Sequence, residues 1–444
     1  MKIEPKLERT INLFEATLYG IGIILTAGTF TLIGEVYGIT GPASWISFLI
    51  AAGIAVLTGL SYAELTSIFP KGAAEYNYVK EAFPTRNAFH FIIGWILLFT
   101  GFISTATIAF GFAGYFIGLI GANNSTIAMI TVAIVLIVFL SVVNFLGIKK
   151  STKLNTIFTL IEVAGIIFII VIGFLRLGNI GNVNFLEFPA GSNVILAVMN
   201  AAALIFFVYI GFEELAEITE ETQNPTKNIP RALMFTILIT TILYVLFAFS
   251  IASFDPATLE SSPNPLAVIV SSILDLDLAI IIISIIALFA ISNTVLILLI
   301  VGSRLIFSLS NIGTFPKIFS KVHRRTHTPW TAIIFTMIIS ICFLFIGDIE
   351  IIAHASVFSI LLIFSIVNVS LIYLRKSQPN LKRPFKVKLS IKGVPIFPLI
   401  GAITCFILLI TFIDLGIWEY FIVLLIQFII MGIGLSIYAL RKHF

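Results

Sequence analysis

Acidic side chains occur in this sequence inside segments that are otherwise apolar. Glu162 is the only charged residue of TLIEVAGIIFIIVIGF, and Glu213, Glu214 and Glu217 follow the apolar run LIFFVYIGF. A carboxyl group within an apolar helix is costly to keep charged and by default marks a functional position. Because burial favours the neutral form, such a group takes up a proton when enclosed and releases it when hydrated. We predict that Glu162, or secondly Glu213, carries a proton; the alternatives are a permanently protonated structural acid and an interhelical hydrogen bond.

The stretch from Tyr19 to Glu35, YGIGIILTAGTFTLIGE, is apolar yet contains four glycines. Backbone that leaves a helix at membrane depth is tolerated only where it lines a cavity or packs within protein. Paired interruptions in corresponding helices point to the binding site of a transporter. A second interruption is predicted near 208–212, around Gly211. The alternative is that these glycines only allow helices to pack closely.

Two such interruptions offer complementary backbone groups. The start of a half-helix presents unpaired N–H groups and a positive dipole end, which suit a carboxylate. Unwound carbonyl groups are acceptors, which suit an ammonium group. One break at Thr26–Ala27–Gly28 and another near 207–210 therefore predict a site for the two ends of a zwitterion.

The composition requires a membrane for most of the chain. The 444 residues are 59% hydrophobic and 11% charged, whereas a soluble domain has about 25% charged residues. The mean hydropathy is +1.12. Apolar runs long enough to cross a bilayer recur throughout, so we predict an all-α integral membrane protein with a single transmembrane domain over 1–444. The predicted twelve spans are 12–36, 42–68, 87–118, 125–147, 155–176, 192–218, 231–253, 278–309, 330–347, 350–373, 395–415 and 418–440.

The loops predict the orientation of these spans. Residues 255–276 are too interrupted to span and are expected to form an extracellular loop with a short helix. With both termini in the cytosol, all of the 26 basic residues except Arg176 fall on the cytosolic side, as the positive-inside rule requires. We therefore expect a multi-pass plasma-membrane protein.

Interruption of the first and sixth spans implies an internal repeat. We predict a first repeat of five helices over 12–176, a second and inverted repeat over 192–373, and two additional helices over 395–440.

Other functional classes find little support in the sequence. No nucleophile–base pair or metal-ligand constellation appears, so neither enzymatic activity nor a metal site is expected. The net charge of +4 reflects membrane topology and gives no reason to expect a nucleic-acid partner. A sensor would need a signalling domain, and a channel would need a continuous polar stripe; both remain less favoured alternatives.

Five segments carry a resemblance to a known family. They are LERTINLFEATLYGIGIILTAGTF, PKGAAEYNYVKEAF, FFVYIGFEELAEITEETQNPTKNIPRAL, RLIFSLSNIGTFPKIFSKVHRRTHTP and QPNLKRPFKV. Together they resemble the amino acid–polyamine–organocation (APC) superfamily of amino acid permeases, over nearly the full length. The resemblance implies the LeuT-type inverted-repeat fold, with discontinuous helices 1 and 6, and secondary, ion-driven transport of amino acids.

The resemblance also implies site residues. At the first break, where Thr26 replaces the family's first glycine, the N–H groups of Ala27 and Gly28 would bind the substrate carboxylate, with Ile24 adjoining them. At the second break, the carbonyl groups of three residues would bind the substrate amine. These three are Phe207, Val208 and Ile210. Phe207 would also gate the site, the alternative being a lipid or packing contact.

The resemblance leaves the coupling ion open. Proton-coupled relatives often carry a lysine where this chain has Glu162, so their mechanism does not transfer directly. Ser292, Asn293 and Thr294 would face the first break and support Glu162. We expect proton symport without a cofactor; exchange without net proton flow and sodium symport are the alternatives.

The substrate and the surroundings are predicted only broadly. Phe206, Phe207 and Ile210 favour amino acids of a neutral or broad range, and no acid occurs near Thr100 that would favour a cationic one. Membrane lipids are expected partners, and a monomer and a homodimer remain open. Glu217, Glu220 and Glu221 are expected to be solvated or paired with loop cations.

Overall fold

The computed structural model describes residues 7–25, 27–122, 125–181, 183–189, 191, 193–260, 265–345, 349–391, 393–411 and 417–441. Within these residues the chain is almost entirely helical. The α-helices are α1 Leu13–Ile24, α2 Ala27–Thr40, α3 Ser44–Ile68, α4 Ala74–Ala82, α5 Asn87–Leu119, α6 Thr126–Phe145, α7 Ile148–Ile180, α8 Val194–Tyr209, α9 Pro225–Ser250, α10 Pro256–Glu260, α11 Pro265–Ser271, α12 Leu276–Asn311, α13 Trp330–Phe343, α14 Ile349–Ser377, α15 Ile396–Thr411 and α16 Ile417–Arg441.

Short elements connect these helices. The 3-10 helices are Gly41–Ala43, Phe212–Ala216, Thr219–Glu221 and Lys317–Ser320. A small antiparallel hairpin pairs β1 (Ser390–Ile391) with β2 (Val394–Pro395), so that Ser390 lies opposite Pro395.

The prediction of an all-α membrane protein is confirmed. Among the described residues, nine helical segments are long and apolar enough to cross a membrane, and three shorter apolar helices accompany them. The shorter three are Leu13–Ile24, Trp330–Phe343 and Ile396–Ile410. The count of twelve spans and the five-plus-five repeat stay predictions.

The first predicted span is interrupted. Asn12 begins α1 with a capping box, in which its side chain and that of Glu15 bond each other's backbone N–H groups. The helix ends at Ile24, Leu25 caps it, and α2 begins at Ala27. Thr26 itself lies outside the described residues. The predicted span 12–36 thus contains two helices, and the second begins within the predicted break at 26–28.

The sixth predicted span, 192–218, is interrupted as well, since α8 ends at Tyr209, where the break near 208–212 is predicted. Ile210 is extended, and Gly211 has a φ of +121°, a conformation that side chains disfavour. Only a 3-10 helix follows, over Phe212–Ala216. A Cβ on Gly211 would lie 2.9 Å from Cγ1 of Ile23, so glycine also allows α1 to approach the break.

Two other boundaries differ from the predictions. Helix α7 begins at Ile148 rather than 155, because the helix continues beyond the apolar segment through Lys149, Lys150 and Lys153, which are exposed. The loop over 255–276 contains two short helices, α10 and α11, instead of one.

Candidate substrate site

A cavity of about 220 Å³ lies beside the second interruption and the last turn of α1. Ile23 of α1 and Gly211 at the second break form part of its wall. Helices α3, α5, α12 and α14 complete the wall with Tyr62, Thr100, Ser104, Thr107, Thr294, Leu298, Ser356 and Phe364, among others. The cavity thus adjoins the second break directly, and it reaches α1 two residues before the helix caps at Leu25.

The predicted substrate residues lie around this cavity in different ways. Phe207 and Ile210 line it, whereas Val208 is buried and is not part of the wall. Ile24 is also buried, and its carbonyl group accepts a hydrogen bond of 2.9 Å from the Tyr244 hydroxyl, which fixes the end of α1.

The start of α2 offers donors at the first interruption. Ala27 and Gly28 belong to its first turn, where backbone N–H groups have no partner within the helix. At the second interruption, the Phe207 carbonyl accepts the Ile210 N–H at 3.3 Å.

Glu162 lies in a polar network behind α1 rather than on the cavity wall. Its Oε2 accepts from the Asn293 side-chain amide at 3.3 Å, and the same amide donates to Thr159 at 2.9 Å. Thr159 donates in turn to the Leu18 carbonyl of α1 at 3.3 Å, and Asn155 donates to Asn293 Oδ1 at 2.7 Å. The other oxygen of Glu162, Oε1, is buried without a hydrogen-bond partner in the described part of the chain.

The three residues predicted to support Glu162 therefore behave differently. Asn293 reaches Glu162. The hydroxyl groups of Ser292 and Thr294 donate to carbonyl groups of their own helix, at 2.7 Å and 3.2 Å. Thr294 also lines the cavity, so α12 contributes to both the cavity and the network behind it.

Gly22 lets α1 pack directly on this network. A Cβ at this position would overlap Oγ1 of Thr159 and the side-chain amide of Asn293. We expect Gly22→Ala to lower the free energy of unfolding by about 1–3 kcal/mol, because an added methyl group displaces a packed polar network. Thermal unfolding in detergent measures this effect. Gly53→Ala is the matched control, since a Cβ there meets nothing within 4 Å; equal losses for both variants would contradict the prediction.

Two carboxyl groups face the cavity just after the second break. Glu213 is 4% exposed, and its Oε2 accepts the Gly211 N–H at 2.8 Å. Glu214 lies beside it on the wall. Sequence reasoning named both acids but gave a proton role to Glu213 alone. A regular helix would turn two consecutive side chains about 100° apart, whereas the segment here is a 3-10 turn.

For Glu217, the expectation of solvation or of pairing with a loop cation is wrong. The 3-10 segment turns Glu217 inward, where it is 3% exposed and accepts the N–H groups of Ala73 and Ala74 at 2.9 Å and 2.7 Å. Glu220 accepts the Gly72 N–H at 3.1 Å. Both carboxylates thereby bind the unpaired N–H groups at the start of α4. Burial raises the pKa of each carboxyl group.

Glu75 connects this contact to the cavity wall. The Tyr62 hydroxyl, from the wall, donates to Glu75 Oε1 at 3.0 Å. Glu75 is 2% exposed, and its carboxyl group interacts electrostatically with that of Glu217. Burial raises the pKa of Glu75 as well.

Three buried ion pairs occur among the described residues, Arg304 with Glu221 and both Arg375 and Arg383 with Glu64. Arg304 of α12 binds Glu221 through two bonds of 3.0 Å and 3.1 Å. Glu221 was expected to be solvated or to pair with a loop cation, yet its partner is a buried helical arginine. Arg375 of α14 binds Glu64 of α3, whose Oε2 also accepts the Val387 N–H at 2.7 Å.

Comparison with known proteins agrees with this architecture. The family model described as amino acid permease matches residues 11–438. The chain is 30% identical to the branched-chain amino acid permease BcaP of Bacillus subtilis, over 99% of this chain and 95% of the relative. It is 29% identical to the methylthioribose transporter of the same organism, over 90% and 87% of the two chains. The human cystine/glutamate transporter is 29% identical over 88% of this chain and 78% of that protein. The chain is a member of the amino acid permease family, as the five sequence segments indicate.

Proposed function

We propose that the protein is a secondary active transporter that carries amino acids of a neutral or broad range into the cell by proton symport and alternating access. The observation that carries this proposal is the cavity between the interrupted α1–α2 segment and the end of α8. We place the protein in the plasma membrane with both termini in the cytosol, following the distribution of basic residues.

The two interruptions would bind the ends of the substrate. The N–H groups of Ala27 and Gly28, with Thr26 and Ile24 adjoining them, would bind its carboxylate. The carbonyl groups of Phe207, Val208 and Ile210 would bind its amine, and Phe207 would gate the cavity. The cavity beside the second break, with Ile23 of α1 in its wall, supports this arrangement.

Glu162 would hold the coupling proton. A neutral carboxyl group suits its buried position, and ionisation would require water to reach the unpartnered Oε1. The network through Asn293 and Thr159 reaches the α1 carbonyl of Leu18, so a movement of α1 would alter the environment of the proton. Glu213, bonded to the second break, is the second proton candidate.

Uptake into proteoliposomes tests this function. A panel of labelled amino acids is offered with and without an outside-acid pH gradient, in the absence of sodium. The expected result is accumulation above equilibrium that requires the gradient. Uptake that occurs only into vesicles preloaded with amino acid would establish exchange, and a requirement for sodium would establish sodium symport; either result would overturn proton coupling.

Glu162→Gln isolates the proton site. We expect this variant to lose gradient-driven accumulation, because an amide cannot release a proton, and to keep substrate binding because Glu162 does not line the cavity. The pH profile of uptake measures the change. Glu35→Gln, at an exposed position of α2, is the control and should behave as wild type. Accumulation with an unchanged pH profile in Glu162→Gln would exclude Glu162 as the coupling group.

A further inference from the structure

Glu214 differs from the other buried acids near the cavity, because its carboxyl group lacks a protein partner. Glu213 accepts the Gly211 N–H, Glu217 accepts two N–H groups of α4, and Glu75 accepts the Tyr62 hydroxyl. Among the described residues, no hydrogen bond or ion pair reaches the Glu214 side chain, which is half-buried and lies on the cavity wall. The cavity is therefore the place where a partner for this group would lie.

The groups around Glu214 are acidic. The carboxyl groups of Glu213, Glu75 and Glu217 interact electrostatically with it, as does the Tyr19 hydroxyl. The buried guanidinium groups of the described chain pair with other acids, Arg304 with Glu221, and Arg375 and Arg383 with Glu64. Among the described residues, four carboxyl groups thus lie together without a cation paired to Glu214.

A carboxyl group away from bulk water stays neutral unless a positive charge lies beside it, because an unpaired carboxylate there is several kcal/mol less stable than a paired one. A positive charge that enters the cavity removes this disadvantage, whereas a neutral side chain leaves it in place. The remaining wall suits a long stem, because Ile23, Phe207, Ile210 and Ile360 are apolar. Methylene groups pack well on such a surface while a charged head reaches a polar partner.

We propose that Glu214 is a specificity residue that pairs with the positively charged side chain of a basic amino acid. The proposal rests on the transport function proposed above and names the favoured class within its broad range. The two interruptions would bind the backbone ends of the amino acid, and its ammonium or guanidinium group would lie at Glu214. Thr100, Ser104 and Thr294 also lie on the wall. Their hydroxyl oxygens can accept hydrogen bonds from that positively charged group.

Lysine and norleucine provide the test, because they share a four-carbon chain and differ by the terminal ammonium group. Binding of each labelled amino acid is measured on the purified full-length protein, for wild type, Glu214→Gln and Glu214→Asp. We expect wild type to bind lysine at least about 10-fold more tightly than norleucine. Glu214→Gln should weaken lysine binding about 10- to 100-fold, the range for loss of a hydrogen bond to a charged group, and change norleucine binding less than about twofold.

Three further results bear on the proposal. Glu214→Asp keeps the carboxyl group and should keep the preference for lysine. Equal binding of lysine and norleucine by wild type, or equal weakening of both in Glu214→Gln, would overturn the specificity role while leaving amino acid transport intact. If no amino acid of the panel used for uptake binds to the wild-type protein, the proposed transport function fails as well. Glu81→Gln, on α4 and away from the cavity wall, should match wild type for both ligands.

Discussion

Arg304→Ala should lower the free energy of unfolding by about 3–5 kcal/mol, because it leaves Glu221 as a buried charge without a partner. Arg304 and Glu221 are 1% and 0% exposed. The guanidinium group makes two bonds to the carboxylate, and its Nη1 donates to Asn144 Oδ1 at 2.6 Å. Denaturant titration in mixed micelles, followed by tryptophan fluorescence, measures the loss.

Two further variants distinguish the loss of this ion pair from a general effect of removing a charge. Arg325→Ala removes an exposed arginine and should change stability by less than about 0.5 kcal/mol. Replacing both Arg304 and Glu221 with methionine should recover part of the loss, because an apolar pair of similar volume needs no charge balance. A single Arg304→Ala variant as stable as wild type would contradict the interpretation of a tightly paired buried charge.

The Arg304–Glu221 ion pair holds three parts of the molecule together. It joins α12 to the 3-10 helix Thr219–Glu221, and Asn144 adds α6 to the same cluster. The segment after the second break is thus fixed at one end by Arg304. A few residues earlier, Glu217 fixes it to the start of α4. The wall residues Glu213 and Glu214 lie just before these two attachments.

The interrupted helices are predictable because their signals are local. Gly211 and the change from apolar to acidic residues after it lie within one or two turns, and the structure ends α8 at Tyr209. The position of Asn293 near Glu162 follows from the resemblance, which supplies the helix arrangement that spacing alone does not give. Thr26, in contrast, lies outside the described residues, and its role stays a prediction.

Partners of the charged residues are not predictable in the same way. Glu64 and Arg375 are 311 positions apart, and Glu221 and Arg304 are 83 positions apart. Helical periodicity identifies the face that a residue occupies on its own helix, but not the neighbouring helix that meets this face. Polar residues at span ends therefore looked solvated in the sequence, whereas the fold pairs them in its interior.

Glu75→Gln should remove a fall in stability that the wild-type protein shows as the pH rises above the ordinary pKa range of a glutamate carboxyl group. Both Glu75 and Glu217 lie outside the membrane-spanning helices, and burial raises the pKa of each; the Glu75 charge further raises the pKa of Glu217. The second carboxyl oxygen of Glu75, Oε2, is buried and accepts no hydrogen bond from the described part of the chain. We infer that one proton is shared between the two carboxyl groups.

The sign of this effect follows from proton linkage. When the native pKa lies above the unfolded value, the folded protein holds a proton that the unfolded chain releases. The stability from that proton is complete below the unfolded pKa and is lost as the pH rises through the native pKa, by up to about 1.4 kcal/mol per pH unit. In Glu75→Gln, the amide N–H donates permanently to Glu217, while the amide oxygen still accepts from Tyr62.

Unfolding measured at several pH values distinguishes the shared proton from other titrations. Glu81→Gln removes a carboxyl group from the same helix that has no part in the Glu217 contact. In this variant the free energy of unfolding should depend on pH with the same slope as in the wild type. If Glu75→Gln also keeps that slope, the two carboxyl groups do not share a proton. If its slope is lower, the contact between α4 and the segment after the second break depends on protonation, and Tyr62 links that contact to the cavity wall.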